Sequence, residues 1–208
     1  MEVLKVTTNS SEAENFLLEE YATLRELRQS TVNLRETRLN FFLAIISGAI
    51  VGLAFLNQLS VTGLAEVVRF LTGVIILGVF WIGLIIFNIT IAANFRVVEY
   101  SRGMNRIRRY FVEQHTAVEK YITLPLNDET PSFSEKMPMM TALINSLIGG
   151  TGVTLFAQVV ISISTFWIYI ICALVFIILM FVQYRYYHAR VQQRIKHGST
   201  TSFMEKGE

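Results

Sequence analysis

Long apolar runs alternate with charged stretches along this chain of 208 residues. One run extends from Phe41 to about Leu59 and a second from Phe70 to about Phe95. An uncharged interval of 41 residues follows from Ala142 to Val182. A hydrocarbon core of about 30 Å is crossed by roughly 20 helical residues at about 1.5 Å each, so the last interval predicts two spans rather than one. Ser162, Ser164 and Thr165 fall where the turn between them belongs. The pattern predicts an all-α, polytopic integral membrane protein with four transmembrane helices and helical cytoplasmic extensions.

The first 40 residues are polar yet carry helical periodicity. Leu17, Leu24, Leu27, Thr31 and Leu34 recur at heptad-like spacing with Glu and Arg between them. That predicts one seam against a neighbouring helix, either inside the protomer or in an intersubunit stalk. Ser11 and Glu14 have the spacing of a capping box at its start. The second span is expected to continue as a helix through Tyr100 to Lys120, on Phe95, Val98, Met104, Ile107 and Phe111, with a bend at Gly103. Pro125, Asn127, Asp128, Pro131 and Ser132 then break the helical pattern. The expected organisation is a cytoplasmic N-terminal helix at 1–40, a four-helix transmembrane domain at 41–187 with a cytoplasmic loop at 96–138, and a cytoplasmic tail at 188–208.

Charge adds an orientation to this picture. Of 18 Lys and Arg residues, only Arg69 lies in a loop predicted outside. The rest precede the first span, fill the segment from Arg96 to Lys136, or follow Tyr184. Basic residues beside a span are retained on the cytoplasmic side, so both termini are expected in the cytoplasm of a cell inner membrane. Tyr184, Tyr186 and Tyr187, followed by Arg185, Arg190 and Arg194, read as an inner aromatic and basic boundary; Trp167 and Tyr169 read as its outer counterpart. A 52% hydrophobic composition agrees with this class. No cleavable signal is expected, because the first 40 residues are polar. Cys172 stands alone, so no intrachain disulfide forms.

No Asp, Glu, Lys, Arg or His occurs at the centre of any predicted span, which disfavours a proton-coupled pump. The polar residues there are neutral: Ser47, Asn88, Thr90, Thr151, Thr154, Gln158 and Ser162. Spacings of three, four and four put Thr151, Thr154, Gln158 and Ser162 on one helix face, beside Gly149, Gly150 and Gly152. Such a stripe either bonds to neighbouring helices or lines an aqueous path, and it is the candidate pore lining. Ala44, Gly48 and Gly52 form a small-residue ridge at four-residue spacing that permits a tight helix crossing, within one subunit or between two. Gly73, Gly78 and Gly83 read as permissive packing positions.

Arg102, Arg106, Arg108 and Arg109 form a basic cluster close to the membrane, suited to anionic lipid or a protein partner, while nucleic acid is disfavoured. For catalysis the required sets are missing. His115, Glu119 and Glu113 make a poor metal signature, and no nucleophile and base pair has supporting spacing. No enzyme activity, cofactor or metal is expected.

The stretch Leu18-Glu19-Glu20-Tyr21-Ala22-Thr23-Leu24-Arg25, followed by Arg35 and Arg38, resembles the entry of small prokaryotic membrane proteins of the four-span type. Over roughly Asn15 to Gln58 it also resembles the membrane helices of SLATT-type effectors of bacterial conflict systems. Asn105-Arg106-Ile107-Arg108-Arg109-Tyr110-Phe111 leading into the Pro125 segment is similar to other four-span proteins. The resemblance implies a membrane-perturbing effector in a prokaryotic defence or stress system. The expected function is an oligomeric membrane effector or channel-like assembly. The alternatives are a non-conducting scaffold recruiting a cytosolic partner and a small-molecule transporter.

Overall fold

The computed structural model describes residues 2–59, 65–114, 136–160 and 165–204. Among these the chain forms four helices: α1 (Glu2–Leu59), α2 (Ala65–Gln114), α3 (Lys136–Val160) and α4 (Thr165–Met204). α1, α2 and α4 are each long and apolar enough to cross a membrane. Local chemistry agrees with the ends. α1 stops ahead of Ser60, Thr62 and Gly63, and α2 opens with Glu66 in its first turn, where a carboxylate faces the unpaired amides of the helix. Pro138 sits in the first turn of α3, the one place where a missing N–H costs little.

Several boundaries differ from the sequence reading. α1 begins at Glu2, so Ser11 lies inside a helix instead of capping one, since no glycine or proline interrupts the chain upstream. The N-terminal helix and the first apolar run are one continuous element. The expected continuation of the second span as a helix is seen as far as Gln114, within the segment 96–138 that joins the second and third runs, while 115–135 lie outside the described residues, as does the Pro125 segment. α2 is unbroken across Gly103. The predicted turn at Ser162 and Ser164 also lies outside them, and Thr165 opens α4. Most of the expected C-terminal tail is helix, because α4 runs to Met204.

The chain divides into two compact units, one of Met1–Thr37 with Ala92–Ser134 and one of Arg38–Ile91 with Glu135–Glu208. In the first unit, α1 and α2 form an antiparallel pair. Arg35 Nη1 donates to Asn94 Oδ1 at 2.6 Å, and Arg28 Nε donates to Ser101 Oγ at 3.2 Å. Arg108 donates twice to Tyr21 Oη, at 3.2 and 2.6 Å, with its guanidinium 5.4 Å from the ring centroid. As the α1 partner falls through 35, 28 and 21, the α2 partner rises through 94, 101 and 108. Both helices therefore step by seven, the repeat of a coiled-coil seam.

Apolar contacts fill the spaces between these polar layers. Leu17, Leu24 and Val32 are half-buried, while Met104 and Ile107 are buried. A Cβ on Gly103 would meet Leu24 Cδ1 at 2.9 Å, so that glycine makes room for the α1 side chain. The predicted seam is thereby corrected. Leu17, Leu24 and Thr31 line it, but Leu27 and Leu34 are 44% and 51% exposed, because they belong to a second seven-residue series that flanks the seam on α1. Tyr21→Phe is expected to remove both Arg108 bonds and to destabilise the pair by about 1–2 kcal/mol. Denaturant titration of the whole chain in mixed micelles reads this as a lowered midpoint; an unchanged midpoint would exclude the bond as a support.

The second unit is solvated like a membrane domain. Its buried cluster of Phe42, Val79 and Ile86 packs with Ile45, Ile82, Ile144 and Ile148. Meanwhile Val51, Trp81, Phe166 and Phe181 remain largely exposed. Such outward apolar residues are costly in water and ordinary in lipid. The chain is a membrane-embedded helical protein.

Candidate functional site

α3 concentrates the chemistry of the second unit because its amphipathicity is inverted. Thr141, Ala142, Asn145, Ser146, Gly149, Gly150, Gly152 and Thr154 are buried, whereas Met140, Leu143, Leu147 and Val153 are exposed. A helix in lipid places apolar side chains outward and small or polar ones against its neighbours. Backbone approach is closest at Gly150, where a Cβ would lie 3.2 Å from the Cys172 carbonyl oxygen and 3.4 Å from the Phe176 amide nitrogen. At Gly149 a Cβ would meet Leu179 Cδ1 and Phe80 Cε2, both at 2.7 Å.

One turn from this crossing, two amides and a hydroxyl link α3 to α4. Asn145 Nδ2 donates to Gln183 Oε1 at 3.4 Å, and Gln183 Nε2 donates to Ser146 Oγ at 3.0 Å. Asn145 and Ser146 have no exposed surface. Asn145 Oδ1 finds no hydrogen-bond donor among the described residues. It lies against Gly83 of α2, where a Cβ would collide with it and would stand 2.8 Å from Phe42 Cζ. Gly83 therefore presents only hydrogen to this oxygen, a weak contact of the C–H···O kind.

The polar residues singled out from sequence behave differently. Ser47, Thr90, Thr151 and Thr154 each donate to the carbonyl four residues back, and Asn88 does the same through Nδ2. Their demand is met within their own helix. The candidate pore lining is also divided. Thr154 is buried and bonded to the Gly150 carbonyl, while Thr151 is exposed beside an apolar groove of about 260 Å³ lined by Ile46, Ala49, Ile76 and Ile148. Gln158 is carried by α3 with its side chain outside the described set, and Ser162 lies outside it entirely. Asn145, Ser146 and Gln183 were not singled out from sequence. Their signal was present: an Asn-Ser pair inside an apolar run and a glutamine at the end of the facing one.

No protein family, curated protein or solved structure matches the chain. The reading of its sites therefore rests on geometry.

Two further sites follow from sequence. The basic cluster is split: Arg108 turns into the α1–α2 seam, whereas Arg106 and Arg109 are exposed and Arg102 is half-buried. Position 108 is seven from Ser101 and fourteen from Asn94, which fixes it on the inner face. The ridge Ala44, Gly48 and Gly52 is exposed throughout, and among the described residues nothing lies within 4 Å of a Cβ placed on Gly48 or Gly52. Phe41 and Phe55, 62% and 63% exposed, stand at the two ends of this hollow on the same face. Gly78 is open in the same way, while Gly83 is filled by Asn145 and Phe42. His, Cys, Asp and Glu form no group that could hold a metal among the described residues.

Proposed function

We propose that this chain is a self-associating membrane effector of four spans whose copies join along the Ala44, Gly48 and Gly52 ridge and conduct between them. The carrying observation is the ridge itself. Gly83, Gly149, Gly150 and Gly152 are consumed by contacts within the chain, yet Gly48 and Gly52 meet open space on an exposed face bounded by Phe41 and Phe55. Small residues at four-residue spacing let two backbones approach closely in lipid, where association relies on packing rather than on the hydrophobic effect.

α3 supplies the fourth span in this reading. Its 25 residues extend about 37 Å at about 1.5 Å each, and only Lys136 in it is ionisable. Charge asymmetry then orients both termini toward the cytoplasm of an inner membrane. The neutral interior favours passive conduction over proton coupling. The close α3–α4 crossing at Gly150 leaves the boundary between copies as the place for a path, with Thr151 the nearest of the candidate lining residues to an open surface. An effector acting on membrane integrity, as in the SLATT-type systems that Asn15 to Gln58 resembles, is the corresponding biological class.

Gly48→Leu and Gly52→Leu are expected to reduce the oligomer mass in lipid nanodiscs to that of a monomer while leaving helical content unchanged, and to abolish ion flux in vesicles. Thr151→Val is expected to lower flux without changing mass. An oligomer that persists in both leucine variants would remove the ridge from the assembly. Persistent assembly with no flux at any protein concentration would instead favour a scaffold, the second reading. That reading draws on Phe16, Leu27 and Leu34, apolar residues exposed on α1 in the first unit.

A further inference from the structure

The polar bonds that join α1 to α2 in the first unit all lie on one edge of their seam. Arg28 and Arg35 stand four residues beyond Leu24 and Thr31 on α1, and Arg108 stands four beyond Met104 on α2. A step of four turns about 40° from the apolar seam line. Because the two helices are antiparallel, equal turns bring both polar lines to the same side of the pair.

The three guanidinium groups on this edge have neutral partners. Arg35 donates to the Asn94 amide, Arg28 to the Ser101 hydroxyl and Arg108 to the Tyr21 hydroxyl. Among the described residues none of the three is bonded to a carboxylate, and the enclosed Nε of Arg35 meets no acceptor. A half-buried cation ordinarily holds an anion. Arg25, exposed on the next line outward, adds a fourth charge. The carboxylates of the pair stand apart from these. Glu14 ends the α1 line beyond Tyr21 and has an interaction of its own, Glu99 and Glu113 share a line with Arg106, and Glu36 is two lines further out than Arg35. Glu19, Glu20 and Glu26 lie on the side of Leu27.

The bonded levels are seven residues apart, so the row from the Arg35 level to the Arg108 level is about 20 Å long. A lone phosphate engages one level, whereas a chain of phosphates reaches all three. Between these levels the edge carries no exposed large apolar side chain to anchor a peptide. It offers guanidinium forks, which pair with phosphate oxygens two at a time. We propose that this edge of the α1–α2 pair binds a soluble polyphosphate chain through Arg25, Arg28, Arg35 and Arg108. The site stands apart from self-association and conduction, and its failure would leave both readings untouched.

Titration calorimetry with linear inorganic polyphosphate tests it on the full chain in zwitterionic lipid nanodiscs. Arg25→Gln combined with Arg28→Gln is expected to weaken binding about tenfold, through lost charge-assisted hydrogen bonds, while Arg106→Gln is expected to leave it within about twofold. Equal losses in the two variants would reduce the effect to overall charge and overturn the site. Absence of binding overturns it, as does equal affinity for inorganic phosphate, which engages one level only. Poly-glutamate binding as tightly as polyphosphate overturns the phosphate chemistry and assigns the edge to acidic protein. If anionic lipid in the nanodiscs abolishes polyphosphate binding, the phosphate comes from headgroups and the soluble ligand is overturned.

Discussion

Gly83→Ala is expected to lower the stability of the membrane unit by about 3 kcal/mol, the sum of overpacking and a displaced buried amide. The added methyl would occupy the place of Asn145 Oδ1 and press on Phe42 Cζ. Both neighbours are fully buried, so neither side chain has an open direction in which to retreat. The Asn145 amide would have to swing from α2 and loosen its bond to Gln183. Gly78→Ala, one helix position of the same residue type, meets open space and is expected to be neutral or stabilising by up to about 1 kcal/mol through helix propensity. Equilibrium unfolding by SDS titration in bicelles compares the two directly. Equal midpoints would show that the Gly83 contact carries no energetic weight.

Gln183→Met carries the second large effect. It keeps the length of the side chain but takes away the acceptor for Asn145 and the donor to Ser146. The remaining amide is enclosed, and its desolvation is then uncompensated. The expected loss is about 2 kcal/mol, near the upper end for a polar contact between membrane helices, because one side chain serves two bonds. Asn145→Leu should destabilise for the same reason. Combining them should cost about 1 kcal/mol less than the two singles added together, since an apolar pair leaves neither amide orphaned and only the Ser146 hydroxyl without its Gln183 donor. Strict additivity in the cycle would mean that Asn145 and Gln183 are independent neighbours rather than a linked pair.

Legibility differed between elements for physical reasons. The apolar runs at Phe41, Phe70 and Ala142 placed the helices because burial of a helix in lipid demands length and apolarity, both local properties. The heptad in α1 was visible, but one list of apolar positions merged two faces. Leu24 and Leu34 share a chemistry, and only the position of α2 separates the seam residue from the exposed one. The same holds for glycines. Gly48 and Gly83 look alike in sequence, yet one borders open space and the other holds an amide against its backbone. Among the arginines, Arg108 was grouped with its neighbours until Tyr21, 87 positions earlier, took it into the seam.

Thr154 and Thr151 attracted notice because hydroxyls in an apolar run are conspicuous. A threonine in a helix can satisfy itself on the carbonyl four residues back, so conspicuousness there says little about a site. An asparagine or glutamine has both donors and an acceptor to satisfy, and Asn145 and Gln183 met part of that demand in each other.

By itself the sequence determined that this protein is helical, membrane-embedded and free of ionisable groups at the centres of its apolar runs, because these follow from composition and period along one chain. Tertiary structure decided which polar residues are linked, which glycines are filled and which leucines are left outward. Those outcomes depend on what lies across from each residue, and a buried amide or an open ridge is defined only by the opposing helix.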